Sequence, residues 1–279
     1  MLNYCIHDKG QKLNKKYYFL TGMPRSGNTL LSAILNQNPK FYSSPLSPLS
    51  EQLFQIESSL RSEPGLRNQE NSKRTINTLN KYTDIFYSDV NKEIIFDRQK
   101  NWTTPKNIEL ITKYINPKPK IIFTVRDYLE VIASTAILSG DIIEKEINSM
   151  NLYISHGMNK YDKIAEYVSA LNMAMDMTML SLRTALSKEY RGFVHFVEYD
   201  DLVNNTKETV DKIYNFLEEE EFPHDLKNIK KIETDNEHVL GHNPITHIVY
   251  PQITPSKTKP EDIFSEYILK KYANMNIWR

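Results

Sequence analysis

The sequence predicts an α/β fold, a doubly wound and mainly parallel sheet with helices on both faces. Three observations lead there. Short apolar runs rich in β-branched and aromatic residues recur along the chain, and stretches with helical spacing separate them. The first run also ends in a glycine-bearing turn that leads straight into a helical pattern. The 279 residues suffice for one large α/β domain or two small ones. No internal repeat or linker divides them, so a single domain over 1–279 is expected, with its core at about 17–220.

The elements follow in order. "YYFLT" (17–21) reads as a strand, and "TLLSAILNQ" (29–37) as a helix with Leu30, Leu31, Ile34 and Leu35 at helical spacing. "FYSSPLSPLSEQLF" supplies a second extended piece, after which Pro48 opens a helix. Residues 61–84 are polar and cross the surface, partly as helix. "EIIF" (93–96) is a buried strand, "IELITKYI" (108–115) a helix, and "KIIFTV" (120–125) the clearest strand in the chain. "RDYLEVIASTAIL" (126–138) turns helical, and 159–190 forms a long helical stretch. Its methionines Met173, Met175, Met177 and Met179 alternate, do not share one helix face, and read as packing. "FVHFVEY" (193–199) is a strand and "NTKETVDKIYNFLEE" (205–219) an amphipathic helix, capped by Asp200 and Asp201.

In such sheets ligands bind beyond the carboxyl ends of the strands. The glycine turn, Arg126 and Tyr199 all emerge there, and the C-terminal segment 235–279 is placed to cover it. The formal net charge is zero, so no global field draws nucleic acid or an acidic membrane, and any anion site is local. The single cysteine, Cys5, suits a reducing compartment. "MLNYCIHDKGQKLNKK" lacks the apolar run of a signal peptide and no window is apolar enough to span a membrane, so a cytoplasmic protein is expected.

The chemistry centres on "LTGMPRSGNTLL" (20–31). Gly22, Gly27 and Thr29 almost complete the phosphate-cradling P-loop, G-x-x-x-x-G-K-[ST], but Asn28 stands where the lysine belongs. Strand, glycine turn and helix give the P-loop context all the same. The N–H groups of residues 26 to 30 would point at an anion, with Ser26 and Thr29 adding hydroxyls and Arg25 a forked cation. The plainer alternative is a tight turn capped by Ser or Asn. In "TVRDYLEVIAS", Arg126 stands at the end of the best strand and Ser134 eight residues on, placed for a second phosphate. The alternative is a surface arginine paired with Asp127 or Glu130.

Taken together, these pieces resemble the sulfotransferases that use 3′-phosphoadenosine 5′-phosphosulfate (PAPS). "GMPRSGNTLL" looks like their 5′-phosphosulfate loop, in the PRSG form common among bacterial, carbohydrate and tyrosyl-protein members. "IIFTVRDYLEVIAS" resembles their 3′-phosphate motif, "VEYDDLVNNTKETVDKIYNFL" their Tyr-Glu-Asp-Leu strand end and helix, and "FDRQKNWTTPKNIELI" an Asp-Lys-x-Arg-x-Trp segment of some members. The resemblance runs from about residue 17 to 220 in the family's order.

It implies in-line transfer of a sulfuryl group to a hydroxyl or amine of a small-molecule, carbohydrate or peptide acceptor, with adenosine 3′,5′-bisphosphate (PAP) as product and no required metal. Arg25, Ser26, Gly27, Asn28, Thr29 and Leu30 would hold the phosphosulfate, Arg126 and Ser134 the 3′-phosphate, and Tyr199 the adenine. Arg25 and Arg98 would neutralise the leaving phosphate, with Ser26 at the bridging oxygen. The general base of the tyrosyl-protein relatives would fall on Pro45 and Leu46. Asp97 is the preferred substitute, before Glu51, and His238, His242 and His247 lie in the covering segment. Trp102 either stacks on the adenine, lines the acceptor pocket or belongs to the core. Two other readings stay open: a degenerate P-loop kinase or NTPase with Asp127 holding Mg²⁺, and a non-catalytic nucleotide-binding protein.

Overall fold

Five strands build one all-parallel sheet in the order β2-β3-β1-β4-β5. They are β1 (Lys16–Gly22), β2 (Phe41–Leu46), β3 (Ile94–Arg98), β4 (Ile121–Val125) and β5 (Val194–Glu198). The computed structural model describes residues 15–150, 158–230 and 249–279. The chain runs outward from β1 to β2, returns to β3, and then crosses β1 to reach β4 and β5. The direction of winding therefore reverses around β1, and a crevice opens at its carboxyl end.

The helices are α1 (Asn28–Leu35), α2 (Leu49–Ser62), α3 (Gln69–Phe86), α4 (Pro105–Tyr114) and α5 (Tyr128–Ser149). After them come α6 (Lys160–Ala170), α7 (Met173–Leu186), α8 (Tyr199–Asn204), α9 (Thr206–Leu217) and α10 (Glu266–Tyr272). Successive strand residues feed opposite cores. Phe19 and Phe123 face Leu53, Ile111, Val131 and Leu182, whereas Leu20 and Ile122 face Ile34, Val210 and Ile213. Burial on both faces is why β1, β3 and β4 read as unbroken apolar runs.

Local chemistry moves several boundaries. Asp127 accepts hydrogen bonds from the backbone N–H of Leu129 and Glu130, so α5 starts at Tyr128 and not at Arg126. Asn172 caps α7 in the same way and divides the helical stretch 159–190 in two. Of the alternating methionines, Met175 and Met179 are buried while Met173 is exposed, so the packing role holds for only part of the set. Asp200 and Asp201 do not cap the helix that follows them. They lie in the first turn of α8, a short helix that sequence periodicity did not reveal, where its dipole favours acids.

Asp97 and Trp102 belong to the core, which does not suit Asp97 as a base and selects the core alternative for Trp102. Both are fully buried. Tyr87 Oη donates to Asp97 Oδ2 at 2.6 Å and Trp102 Nε1 to Asp97 Oδ1 at 2.9 Å, while the indole packs edge-on against Phe19. Burial lifts the Asp97 pKa from 3.8 to about 6, against the lowering pull of these donors.

The folded chain thus keeps a proton on Asp97 at pH values where the unfolded chain has released it. That contribution to stability is complete below about pH 4 and is lost as pH rises through about 6. Asp97→Asn, which mimics the protonated acid, should remove this pH dependence. The stability difference between wild type and variant, measured by urea denaturation, should shift by about 3 kcal/mol against the wild type between pH 4 and 7.

Candidate functional site

The turn between β1 and α1 is held open by backbone geometry that few residues adopt. Gly22 lies so close to β4 that a Cβ there would sit 2.1 Å from Thr124 Oγ1. Gly27 has φ of +87°, and an added Cβ would meet Leu202 at 2.9 Å. Arg25 takes φ of +60°, an uncommon left-handed conformation for a side-chain-bearing residue and a form of strain concentrated at functional loops. Among the described residues no side chain caps α1 at Gly27, so its first N–H groups turn toward the crevice with the helix dipole behind them.

Ser26 does not point at the crevice. It is fully buried, its hydroxyl donating to Met23 O at 2.6 Å and lying 2.6 Å from Thr124 Oγ1, so it braces the turn from behind. A role at a bridging oxygen does not fit this position. Asn28 Nδ2 donates to Met23 O at 3.2 Å, so the residue in the place of the P-loop lysine ties the loop to itself.

The segment from Arg126 to Ser134 meshes with this loop. Arg126, only 4% exposed, donates through Nε to Glu130 Oε2 at 2.9 Å and through Nη1 to Arg25 O at 3.0 Å. Arg25 Nε in turn donates to Ser134 Oγ at 3.2 Å. Arg126 Nη2 is buried without a hydrogen-bond partner among the described residues. The two guanidiniums are close enough that burial first, and Arg126 second, pull the Arg25 pKa below its ordinary value. The anticipated alternative, a surface arginine paired with Glu130, is half right: the pair exists, but the arginine is buried.

Tyr199 opens α8 and does not end β5. Its ring lies under the Arg126 guanidinium, 4.1 Å from centroid to Cζ, and its hydroxyl accepts from Ser256 N at 3.2 Å. It therefore holds Arg126 and the covering segment together. Val249 to Ser256 of that segment pass over the crevice, anchored where Ile229 N donates to Pro251 O at 2.9 Å. His238, His242 and His247 lie outside the described residues.

Across the crevice, Arg98 Nη1 approaches Thr29 Oγ1 at 3.4 Å. The loop carrying it is pinned on both sides, by Ser47 N on Arg98 O, Gln99 N on Leu20 O, and Thr21 Oγ1 on Lys100 O. Lys100, which the sequence reading passed over, lines the same cavity. The signal was a basic residue two positions beyond Arg98 in the same segment. Leu138 on α5 with Ala174 and Thr178 on α7 also line it, and nothing in their local sequence announces that.

The cavity measures about 480 Å³. Arg25, Arg98, Lys100 and Arg126 face it, and no aspartate, glutamate or histidine does among the described residues. Glu51 sits exposed in the first turn of α2, away from the cavity, so neither proposed carboxylate reaches it. Asp127, the candidate Mg²⁺ ligand of the kinase reading, is engaged in capping α5 and also accepts from Asn276 Nδ2 at 2.5 Å. The described residues contain no cluster of three or more metal-ligating side chains. No helix among them is long and apolar enough to cross a membrane.

Comparison with known proteins bears directly on this geometry. The chain is similar in fold to the sulfotransferase domain from the curacin biosynthetic pathway, at 15% identity and a TM-score of 0.50, with 95% of this chain and 92% of that one covered. It is likewise similar to mouse sulfotransferase SULT7A1 complexed with PAP, at 10% identity and a TM-score of 0.51, with 94% and 83% covered. No curated protein matches it in sequence. Residues 18–224, the stretch holding the glycine turn, Arg98, Arg126, Ser134 and Tyr199, match the profile described as the sulfotransferase family. The chain belongs to the sulfotransferase family and is a sulfotransferase.

Proposed function

We propose that this sulfotransferase takes PAPS as its donor and passes the sulfuryl group in line to an acceptor hydroxyl or amine. One observation carries the donor assignment: the Arg126 guanidinium, buried beside Arg25, has among the described residues no hydrogen-bond partner for Nη2 and only Glu130 as an ion-pair partner. A buried donor without a partner is costly, and a phosphate oxygen supplies the missing acceptor. Ser134, which accepts from Arg25 and lines the same cavity, would bind the same group. A 3′-phosphate meets that requirement, and ATP has none.

The other residues divide the remaining work. The N–H groups at the start of α1 and the Thr29 hydroxyl receive the 5′-phosphate. Arg25, Arg98 and Lys100 face the place where negative charge grows as the bond from sulfur to the bridging oxygen breaks. Catalysis here is positioning and charge stabilisation, as in phosphoryl transfer. The absence of a lysine at Asn28 fits a donor with no γ-phosphate to reach.

Isothermal titration should show PAP binding more tightly than ATP–Mg²⁺; the reverse order would sink the donor assignment. Arg126→Ala should weaken PAP by roughly thirtyfold or more, since charge-assisted hydrogen bonds are lost, yet leave adenosine 5′-phosphate within a few fold. Equal losses for both ligands would place Arg126 elsewhere. Transfer of labelled sulfuryl from PAPS to a panel of phenol, sugar and peptide acceptors should give product. A protein that binds PAP and sulfates nothing would be a nucleotide-binding relative without activity.

A further inference from the structure

We infer that Asn276 and Arg279 are positioning residues for the donor site: together they clamp the ends of β4 and β5 and so align Arg126 with Tyr199. The inference rests on the donor assignment above, in which Arg126 holds the 3′-phosphate. Neither Asn276 nor Arg279 lines the cavity, so both act through groups that do.

β4 and β5 are neighbours, and their pairing ends where Val125 meets Glu198. The next residues are Arg126 and Tyr199, whose guanidinium and ring lie 4.1 Å apart at the cavity wall. The sheet ladder therefore stops one residue short of the pair that it has to align. The segment after α10 crosses this gap. Asn276 Oδ1 accepts from Tyr128 N at 2.9 Å, and Asn276 Nδ2 donates to Asp127 Oδ2 at 2.5 Å. Tyr128 opens α5, where a backbone N–H has no partner within the helix, and Asp127 is the cap of that helix. One side-chain amide thus fixes the two residues that follow Arg126.

Arg279 does the same on the other strand. It donates to Glu198 Oε2 through Nη2 at 2.7 Å and through Nε at 3.1 Å. Glu198 stands at the cap position of α8, yet among the described residues its side chain makes no capping bond, so its carboxylate serves Arg279 instead. The segment is itself anchored. Tyr272 of α10 is buried with its ring 6.0 Å from that of Tyr128, and Lys271 pairs with Glu166 of α6 at 2.7 Å. The Arg279 side chain is 45% exposed, and an ion pair so exposed adds little to stability. Its loss should appear in the geometry of the site rather than in the melting temperature.

The test titrates PAP calorimetrically into the whole protein and its variants. Asn276→Ala and Arg279→Ala should each weaken PAP roughly three- to tenfold, because a charge-assisted hydrogen bond is strong only while its geometry holds. Arg279→Lys, which keeps the ion pair, should lose less. Added to Arg126→Ala, either alanine change should cost no more than about twofold, since residues that act through one group are not additive. Asn276→Asp sets two carboxylates face to face and should weaken PAP as well. Combining it with Asp127→Asn reverses the donor and acceptor of that bond, keeps the cap of α5, and should restore PAP affinity to within about twofold of wild type.

Unchanged PAP affinity in the Asn276 and Arg279 variants would overturn the inference, as would losses of equal size with and without Arg126→Ala. In either case the effect of Arg126→Ala alone leaves the donor assignment intact. If Asn276→Ala does not fold, Arg279→Ala and the reversed pair decide the matter by the same criteria. Failure of the wild type to bind PAP would remove both readings.

Discussion

At Gly22 the end of β1 approaches β4 so closely that no side chain fits between Gly22 and Thr124. Much of the site depends on that approach. It sets the loop on top of β4, so that Arg25 lands beside Ser134 and the Arg25 carbonyl meets Arg126. Ser26, turned inward onto Met23 and Thr124, locks the arrangement from the core side. Two segments about a hundred residues apart are thereby fused into one surface facing the cavity, which limits the reorganisation that the proposed donor would require.

The charge distribution follows from that fusion. A chain with no net charge concentrates Arg25, Arg98, Lys100 and Arg126 around one cavity. Glu130 offsets part of this charge and Tyr199 lies under the Arg126 guanidinium. The partial compensation matters physically. Full pairing would leave no donor for a ligand, whereas no pairing would make the buried Arg126 guanidinium beside a half-buried Arg25 too costly.

Legibility in the sequence tracked how local each interaction was. The β1–α1 turn, the strand before Arg126 and the eight-residue step to Ser134 depend on spacing along the chain, and the structure brings those residues together. Asp97 was misread because a carboxylate at a strand end looks alike whether it faces solvent or core. Its burial depends on Tyr87 and Trp102 closing around it. Spacing alone places Ser26 and Tyr199 beside a ligand; the structure turns Ser26 inward onto Thr124, and joins Tyr199, which lines the cavity, to Ser256, each partner distant in sequence. Lys100 was visible as a charge, but only the pinned loop shows which way that segment faces.

The sequence by itself determined the α/β class, the order of strands and helices, the glycine turn between β1 and α1 and the family. All of these rest on short-range periodicity, glycine backbone freedom and motif order. The tertiary structure decided which side chains reach the cavity, because that depends on strand order and on the packing of α5 and α7, neither of which periodicity encodes. It moved Asp97 and Trp102 into the core, turned Ser26 inward, left Glu51 outside, and lined the outer cavity with Leu138 and Ala174. The physical reason is that a side chain's role is fixed by its neighbours in space, and for these residues the deciding neighbours come from distant segments of the chain.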